Sequence, residues 1–122
     1  MIGYTSVGTN DLPKALTYYD ALLAELGAKT AMEDEGRMRI YAGGNGAMLM
    51  VTKPHDGKPA TVGNGVMVAI AAGSREKVDA LYAKAMSLGS ADEGAPGDRG
   101  NGFYGAYFRD LEGNKLCAFH MG

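Results

Sequence analysis

Two copies of one short text, Leu26-Gly27-Ala28 and Leu88-Gly89-Ser90, stand 62 residues apart in a chain of 122. Each closes an amphipathic segment, and each segment follows an apolar run, Ile2 to Thr9 in the first copy and Val66 to Ala71 in the second. A period of half the chain marks a duplicated supersecondary unit. Positions that match across the copies are then expected to meet in space and build one shared cleft.

The pattern between these landmarks gives the order of elements. Residues 2–8 carry enough apolar and β-branched types for a strand, weakened by Gly3 and Gly8. Asn10 or Asp11 offers a side-chain oxygen to cap a helix, and Pro13 suits its first turn. Leu12, Leu16, Tyr19, Leu23 and Leu26 recur at helical spacing, and Gly27 supplies a left-handed stop. Lys29–Met32, Met38–Ala42 and Ala47–Thr52 read as a meander turning at Glu33–Gly36 and Gly43–Gly46. Lys53–Gly63, with two prolines and two glycines, reads as a link.

The second half repeats the plan. Asn64–Ala71 reads as a strand, and Ser74 caps a helix with Val78, Leu81, Tyr82, Ala85 and Leu88 on one face, ended by Gly89. A short run at Ser90–Asp92 precedes Glu93–Gly102, whose glycines and proline suggest either a lid over the cleft or a long connection. Phe103–Arg109 and Lys115–His120 are the last strands, joined by the turn 110–114. The expected fold class is α+β: two βαβββ modules, 1–52 and 64–122, joined by linker 53–63 in a single domain 1–122, with paired curved sheets around a cleft.

Composition narrows the function. A net charge of −2 with both signs interspersed leaves no electrostatic footprint for nucleic acid. Arg75 and Lys77 share their helix with Glu76 and Asp79, which reads as a solvated face. No run approaches the roughly 18 apolar residues of a membrane span, and no basic-then-apolar leader is evident at the start. Cys117 is the lone cysteine, which leads us to expect a reducing, cytoplasmic setting. Eight methionines and no tryptophan point to a soft, adaptable interior or pocket lining.

Alternation then nominates cleft residues. Val66, Val68 and Ile70 suit the helix side of the fifth strand, leaving Met67 and Ala69 for the cleft. Leu116 and Ala118 suit the helix side of the eighth, leaving Cys117 and Phe119. Arg39 shares a face with Tyr41, and Tyr107 with Arg109. If those faces point inward, each pair sets a cation beside an aromatic and suits an anionic or aromatic ligand. If they point outward, they are ordinary cross-strand surface pairs. His55 lies on the linker and reads as a solvent-exposed loop residue, whereas His120 falls on the opposite face of its strand from Cys117. The Gly-Asn-Gly triplets at 44–46, 63–65 and 100–102 lack the strand–loop–helix context of a phosphate loop and read as turns.

Three stretches carry a family resemblance: TSVGTNDLPKALTYYDALLAELGAK, GNGVMVAIAA and YGAYFRDLEGNKLCAF. Together they resemble the vicinal oxygen chelate superfamily, which includes glyoxalase I, bleomycin-resistance proteins and extradiol dioxygenases. The last stretch is similar to the family's Phe-x-Asp-Pro-x-Gly-Asn ending, with Leu111 where proline is usual. The resemblance implies the glyoxalase/bleomycin-resistance-like fold and a divalent metal held by His and Glu, which polarises vicinal substrate oxygens. Carried over by position, the first His falls on Tyr4, the second on Met67 and the terminal Glu on Cys117. A fourth ligand falls near Met48 or Leu49. Phenol and thioether are poor ligands for hard divalent cations, and one thiolate does not make a site.

The reading is therefore a superfamily member without its usual metal ligands and with no cofactor, binding a small, mostly apolar molecule in the cleft. Its cleft candidates are Tyr4, Met67, Cys117, Phe119, Met48, Tyr41, Arg39 and Tyr107. The alternatives are a metal-dependent lyase, isomerase or dioxygenase using Fe, Mn, Ni or Zn, and a non-catalytic interaction domain. The resemblance also implies a homodimer. Neither nucleic acid nor a membrane is expected as a partner.

Overall fold

A computed structural model describes residues 1–43 and 46–122. They fall into two compact units, Met1–Gly63 and Asn64–Gly122. Each is one βαβββ module with a four-stranded sheet under a single helix.

The first unit comprises β1 (Tyr4–Gly8), α1 (Leu12–Ala24), β2 (Lys29–Asp34), β3 (Met38–Ala42) and β4 (Met48–Thr52). Its strand order is β1-β4-β3-β2, with β1 parallel to β4 and the rest antiparallel. Asp11, not Asn10, caps the helix, its carboxylate accepting from Lys14 N at 3.2 Å. Leu12, Ala15, Tyr18, Tyr19, Leu22 and Leu23 bury the helix face against Val7, Tyr41, Leu49 and Val51. Each buried leucine contributes roughly 1.5–3 kcal/mol.

The second unit comprises β5 (Val68–Ala71), α2 (Arg75–Ser87), β6 (Ala91–Asp98), β7 (Phe103–Arg109) and β8 (Lys115–Met121), in sheet order β5-β8-β7-β6. Ser74 caps α2 through Lys77 N at 3.1 Å. Val78, Leu81 and Ala85 pack on Ala106, Phe108, Leu116 and Ala118, all wholly buried.

The duplicated tripeptide is a helix-ending device. Ala28 N donates to Leu23 O and Gly27 N to Ala24 O; in the other unit Ser90 N donates to Ala85 O and Gly89 N to Met86 O. Both glycines are left-handed, at φ +70° and +99°. This is one Schellman motif made twice, and the reversal of direction it creates starts β2 and β6 in equivalent places.

Several expected boundaries move. β1 begins at Tyr4 rather than Ile2. β2 runs on to Asp34, because Glu33 and Asp34 pair with Arg39 and Met38. The turn at Asn64–Gly65 delays β5 to Val68, so Val66 does not sit under the helix and is 64% exposed. The largest correction concerns 93–102. Glycine and proline there do not make a lid: β6 extends through Asp98 as an edge strand along β7, its register shifting twice, and only 99–102 turn. The expected turn at 43–46, with its Gly-Asn-Gly triplet, lies partly outside the described residues. The stretch 53–63 belongs to the first unit, where Asn10 and Ala60 exchange two hydrogen bonds at 2.7 and 3.1 Å.

Candidate functional site

Each sheet has one face under its helix and one face away from it, and the pairing register assigns every candidate. In the first unit, Tyr41 donates its phenolic proton to Asp20 of α1 at 2.6 Å. Arg39 holds both Asp20 oxygens at 2.9 Å and reaches Glu33 through Nε, also at 2.9 Å. Arg39 and Tyr41 therefore share the helix-covered face, and neither the inward nor the outward expectation describes them. Burial first, then the hydrogen bond to Asp20, holds the Tyr41 phenol well above its ordinary value, and the two carboxylates raise Arg39. This network anchors α1 to β3 and, through Glu33, ties β3 to the edge strand β2.

The open face of the same sheet follows from alternation. Tyr4 pairs with Met48, while Ser6, Met50, Ile40 and Met32 form one row across the four strands. Tyr4 is 56% exposed and Met32 also lies exposed, so this face is a methionine-rich apolar surface with one phenol at its edge.

In the second unit Tyr104 donates to Asp79 of α2 at 2.7 Å, and Phe108 packs edge-on to Tyr82. The even-numbered residues of β7 thus face the helix, and His120, the partner of Tyr104, lies with them. Tyr107 pairs with Cys117, Arg109 with Lys115, and Gly105 with Phe119 on the open face. Ala69 pairs with Cys117 there, and Met67, just ahead of β5, is 43% exposed. The expected helix-side placing of Leu116 and Ala118, with Cys117 and Phe119 opposite, agrees with the register.

The open face is held in shape by the turn between β7 and β8. Asp110 accepts from Glu112 N, Asn114 N and the Asn114 side-chain amide, each at 2.9 Å. The DLEGN sequence is thus an Asx-type turn that fixes which residue of β8 stands opposite Tyr107. Glu93 neutralises Arg109 at 3.1 Å. Arg99 lies over the Tyr107 ring at 5.5 Å from its centroid, and Lys115 lies at 5.6 Å. Phe103 and Phe119 stack 5.4 Å apart at 3°. Gly105 makes the stack possible, because a Cβ there would stand 2.6 Å from Phe103 Cε1.

Cys117 is wholly buried. Burial pushes its thiol up, while the charges of Arg99 and Lys115 and a hydrogen bond with Tyr107 pull the other way. Burial thus opposes the thiolate, the form in which a cysteine acts as nucleophile or metal ligand. His55 is exposed on the linker stretch, its Nδ1 accepting from Arg37 at 3.1 Å. Sequence reasoning missed Arg99, Lys115 and Phe103. The first lay in the supposed lid and sits in the turn after β6, its N–H donating to Phe103 O, whereas Phe103 and Lys115 owe their positions to strand register.

The donor set does not fit a hard divalent cation. At the positions that the resemblance matches, Tyr4, Met67, Cys117 and Met48 offer phenol, thioether and thiol, with no imidazole or carboxylate among them. Among the described residues no group of three or more His, Cys, Asp or Glu side chains is placed to hold a metal. Nor is any helix among them long and apolar enough to cross a membrane.

Comparison with known proteins gives consistent results. Residues 1–118 match the family described as the Glyoxalase/Bleomycin resistance protein/Dioxygenase superfamily. A crystal structure of a glyoxalase/bleomycin resistance protein from Albidiferax ferrireducens T118 is 37% identical, with a TM-score of 0.92 over 100% of this chain and 99% of that one. A glyoxalase/bleomycin resistance protein/dioxygenase family enzyme from Burkholderia phytofirmans PsJN is 17% identical, with a TM-score of 0.78 over 98% of each chain. A lactoylglutathione lyase from Agrobacterium tumefaciens is 20% identical, with a TM-score of 0.70 over 98% of this chain and 92% of that one. The latter two likenesses speak for the fold alone. A search of curated proteins found no match.

Proposed function

The chain belongs to the glyoxalase/bleomycin resistance protein/dioxygenase superfamily, and on that premise we propose that it binds a small, mostly apolar molecule without the divalent metal its relatives are known for. The observation that carries this reading is Cys117. It stands where the resemblance puts the anionic ligand, yet it is a buried thiol whose ionisation burial opposes. The other matched positions, Tyr4, Met67 and Met48, supply no charge either. Each unit taken by itself offers an apolar guest suitable side chains on the sheet face away from its helix, methionines in the first unit and stacked phenylalanines in the second.

The second reading, a metal-dependent lyase, isomerase or dioxygenase, draws on the names of solved neighbours and needs ligands this donor set does not offer. A non-catalytic interaction domain is the third. The resemblance further supports a homodimer, and the lone thiol supports a reducing cytoplasm.

Elemental analysis after incubation with Fe²⁺, Mn²⁺, Ni²⁺ or Zn²⁺ and exhaustive dialysis tests the proposal. We expect far less than one ion per chain for each metal. One retained ion per chain would transfer the case to the metal-dependent reading.

A further inference from the structure

We propose that the open face of the second unit recognises a small organic anion, a carboxylate or comparable acid on a flat apolar body, with Arg99 and Lys115 receiving the charge and the Phe103–Phe119 stack receiving the body. This inference rests on the reading of that face as ligand-binding and adds the chemical class of the ligand.

The distribution of ion pairs singles out Arg99. The chain has five arginines. Arg37, Arg39, Arg75 and Arg109 each face a carboxylate, Asp34, Asp20 with Glu33, Asp98 and Glu93 respectively. Arg99 has none among the described residues. One of its donors is taken by Ala95 O at 2.6 Å, which orients the guanidinium and leaves its other N–H groups available. Lys115 likewise has no carboxylate there, and both cations lie over one phenol ring. A bound anion would be attracted by both cations at once, and an Arg–carboxylate contact has the fork geometry to be bidentate.

The backbone is built to admit this guanidinium. A Cβ at Gly97 would stand 3.3 Å from Arg99 Nη1, and one at Gly94 would stand 3.3 Å from its Nη2 and 3.1 Å from the Tyr107 ring. The glycines that looked like lid punctuation thus clear a bed for Arg99 over Tyr107. One step along the strands, about 7 Å away at two residues of β rise, Gly105 clears the space for Phe103 over Phe119. Cationic and aromatic ends therefore sit in series on one face. Glu93 faces Arg109 at 3.1 Å, so that carboxylate is already matched and does not serve Arg99 or Lys115.

The test is a two-dimensional amide NMR titration of the intact chain with benzoate and with its neutral isostere benzamide. Benzoate is expected to give saturable shifts at Tyr107, Cys117 and Phe119, and benzamide to bind at least about tenfold more weakly, the loss of one charge-assisted contact. Arg99→Gln and Lys115→Gln are each expected to weaken benzoate by about tenfold with the melting temperature unchanged. Gly97→Ala, which crowds the guanidinium, should weaken benzoate as well. If Lys115→Gln fails to fold, exposed Arg99 and Gly97→Ala decide the matter. Equal binding of benzoate and benzamide, or variants that match the parent, would overturn the anion inference and leave apolar binding standing. No shift with either probe into the millimolar range would overturn the inference and count against a ligand on this face.

Discussion

Replacing Asp110 by alanine tests whether the closing turn fixes the open face. Asp110 is buried, and its carboxylate accepts three hydrogen bonds at 2.9 Å, two from backbone N–H groups and one from the Asn114 amide. Its own N–H and carbonyl close the turn with Asn114 and Gly113, and those backbone bonds survive the substitution. A hydrogen bond to a charged acceptor contributes about 1.5–3 kcal/mol. The three act as one unit and water reaches part of the turn, so they do not add. We expect Asp110→Ala to cost about 3 kcal/mol, near the loss of two such bonds outright. Asp110→Asn keeps an acceptor for the two backbone donors and should cost about 1 kcal/mol. The assay is urea unfolding of the three proteins, reading the midpoint at constant slope. Fraying at this end also loosens the pairing of Arg109 with Lys115 and of Tyr107 with Cys117. Labelling of the native thiol by a disulfide reagent should therefore quicken in Asp110→Ala. A midpoint within about 0.5 kcal/mol of the parent, the range of an ordinary surface change, together with unchanged labelling would refute the role given to the turn.

Gly27→Ala and Gly89→Ala each force a Cβ into a left-handed cap and should each cost about 1–2 kcal/mol in thermal or urea unfolding; a neutral result at either would contradict the shared Schellman geometry. Tyr41→Phe should flatten the alkaline limb of the stability curve. Folding raises the Tyr41 phenol above its ordinary value of 10.0, so its stabilising contribution is complete below that pH and is lost as pH rises toward the folded value. The parent should consequently lose stability faster than Tyr41→Phe above pH 10 in unfolding measured at successive pH values. Arg39→Lys keeps the charge but cannot reach Asp20 and Glu33 through separate nitrogens as the guanidinium does, and should lower stability by about 1 kcal/mol, read by urea unfolding.

The order of elements was legible because its signals are local. Asp11 and Ser74 cap helices, Gly27 and Gly89 stop them, and apolar spacing marks the buried stripe. The two faces of β8 were legible too, since Leu116 and Ala118 alternate with Cys117 and Phe119. Non-local pairing was harder to read. Residues 93–98 form an edge strand because β7 offers them backbone partners, although glycine and proline argue locally for a loop. Arg39 and Tyr41 announced a shared face, but only Asp20, nineteen residues from Arg39, says that the face lies under a helix. Arg99 was hidden for the same reason, its place over Tyr107 following from the turn that joins β6 to β7 and from the space at Gly97. The absence of imidazole and carboxylate at the matched positions, by contrast, is a statement about residue types and was fully visible in the sequence.

Native mass spectrometry of the purified protein tests the central claim most directly, because one spectrum reports bound metal, retained small molecule and subunit number. The account predicts chains carrying an organic adduct, or taking one up when benzoate is added, with no stoichiometric transition-metal increment. A spectrum in which each chain carries one metal ion would contradict it.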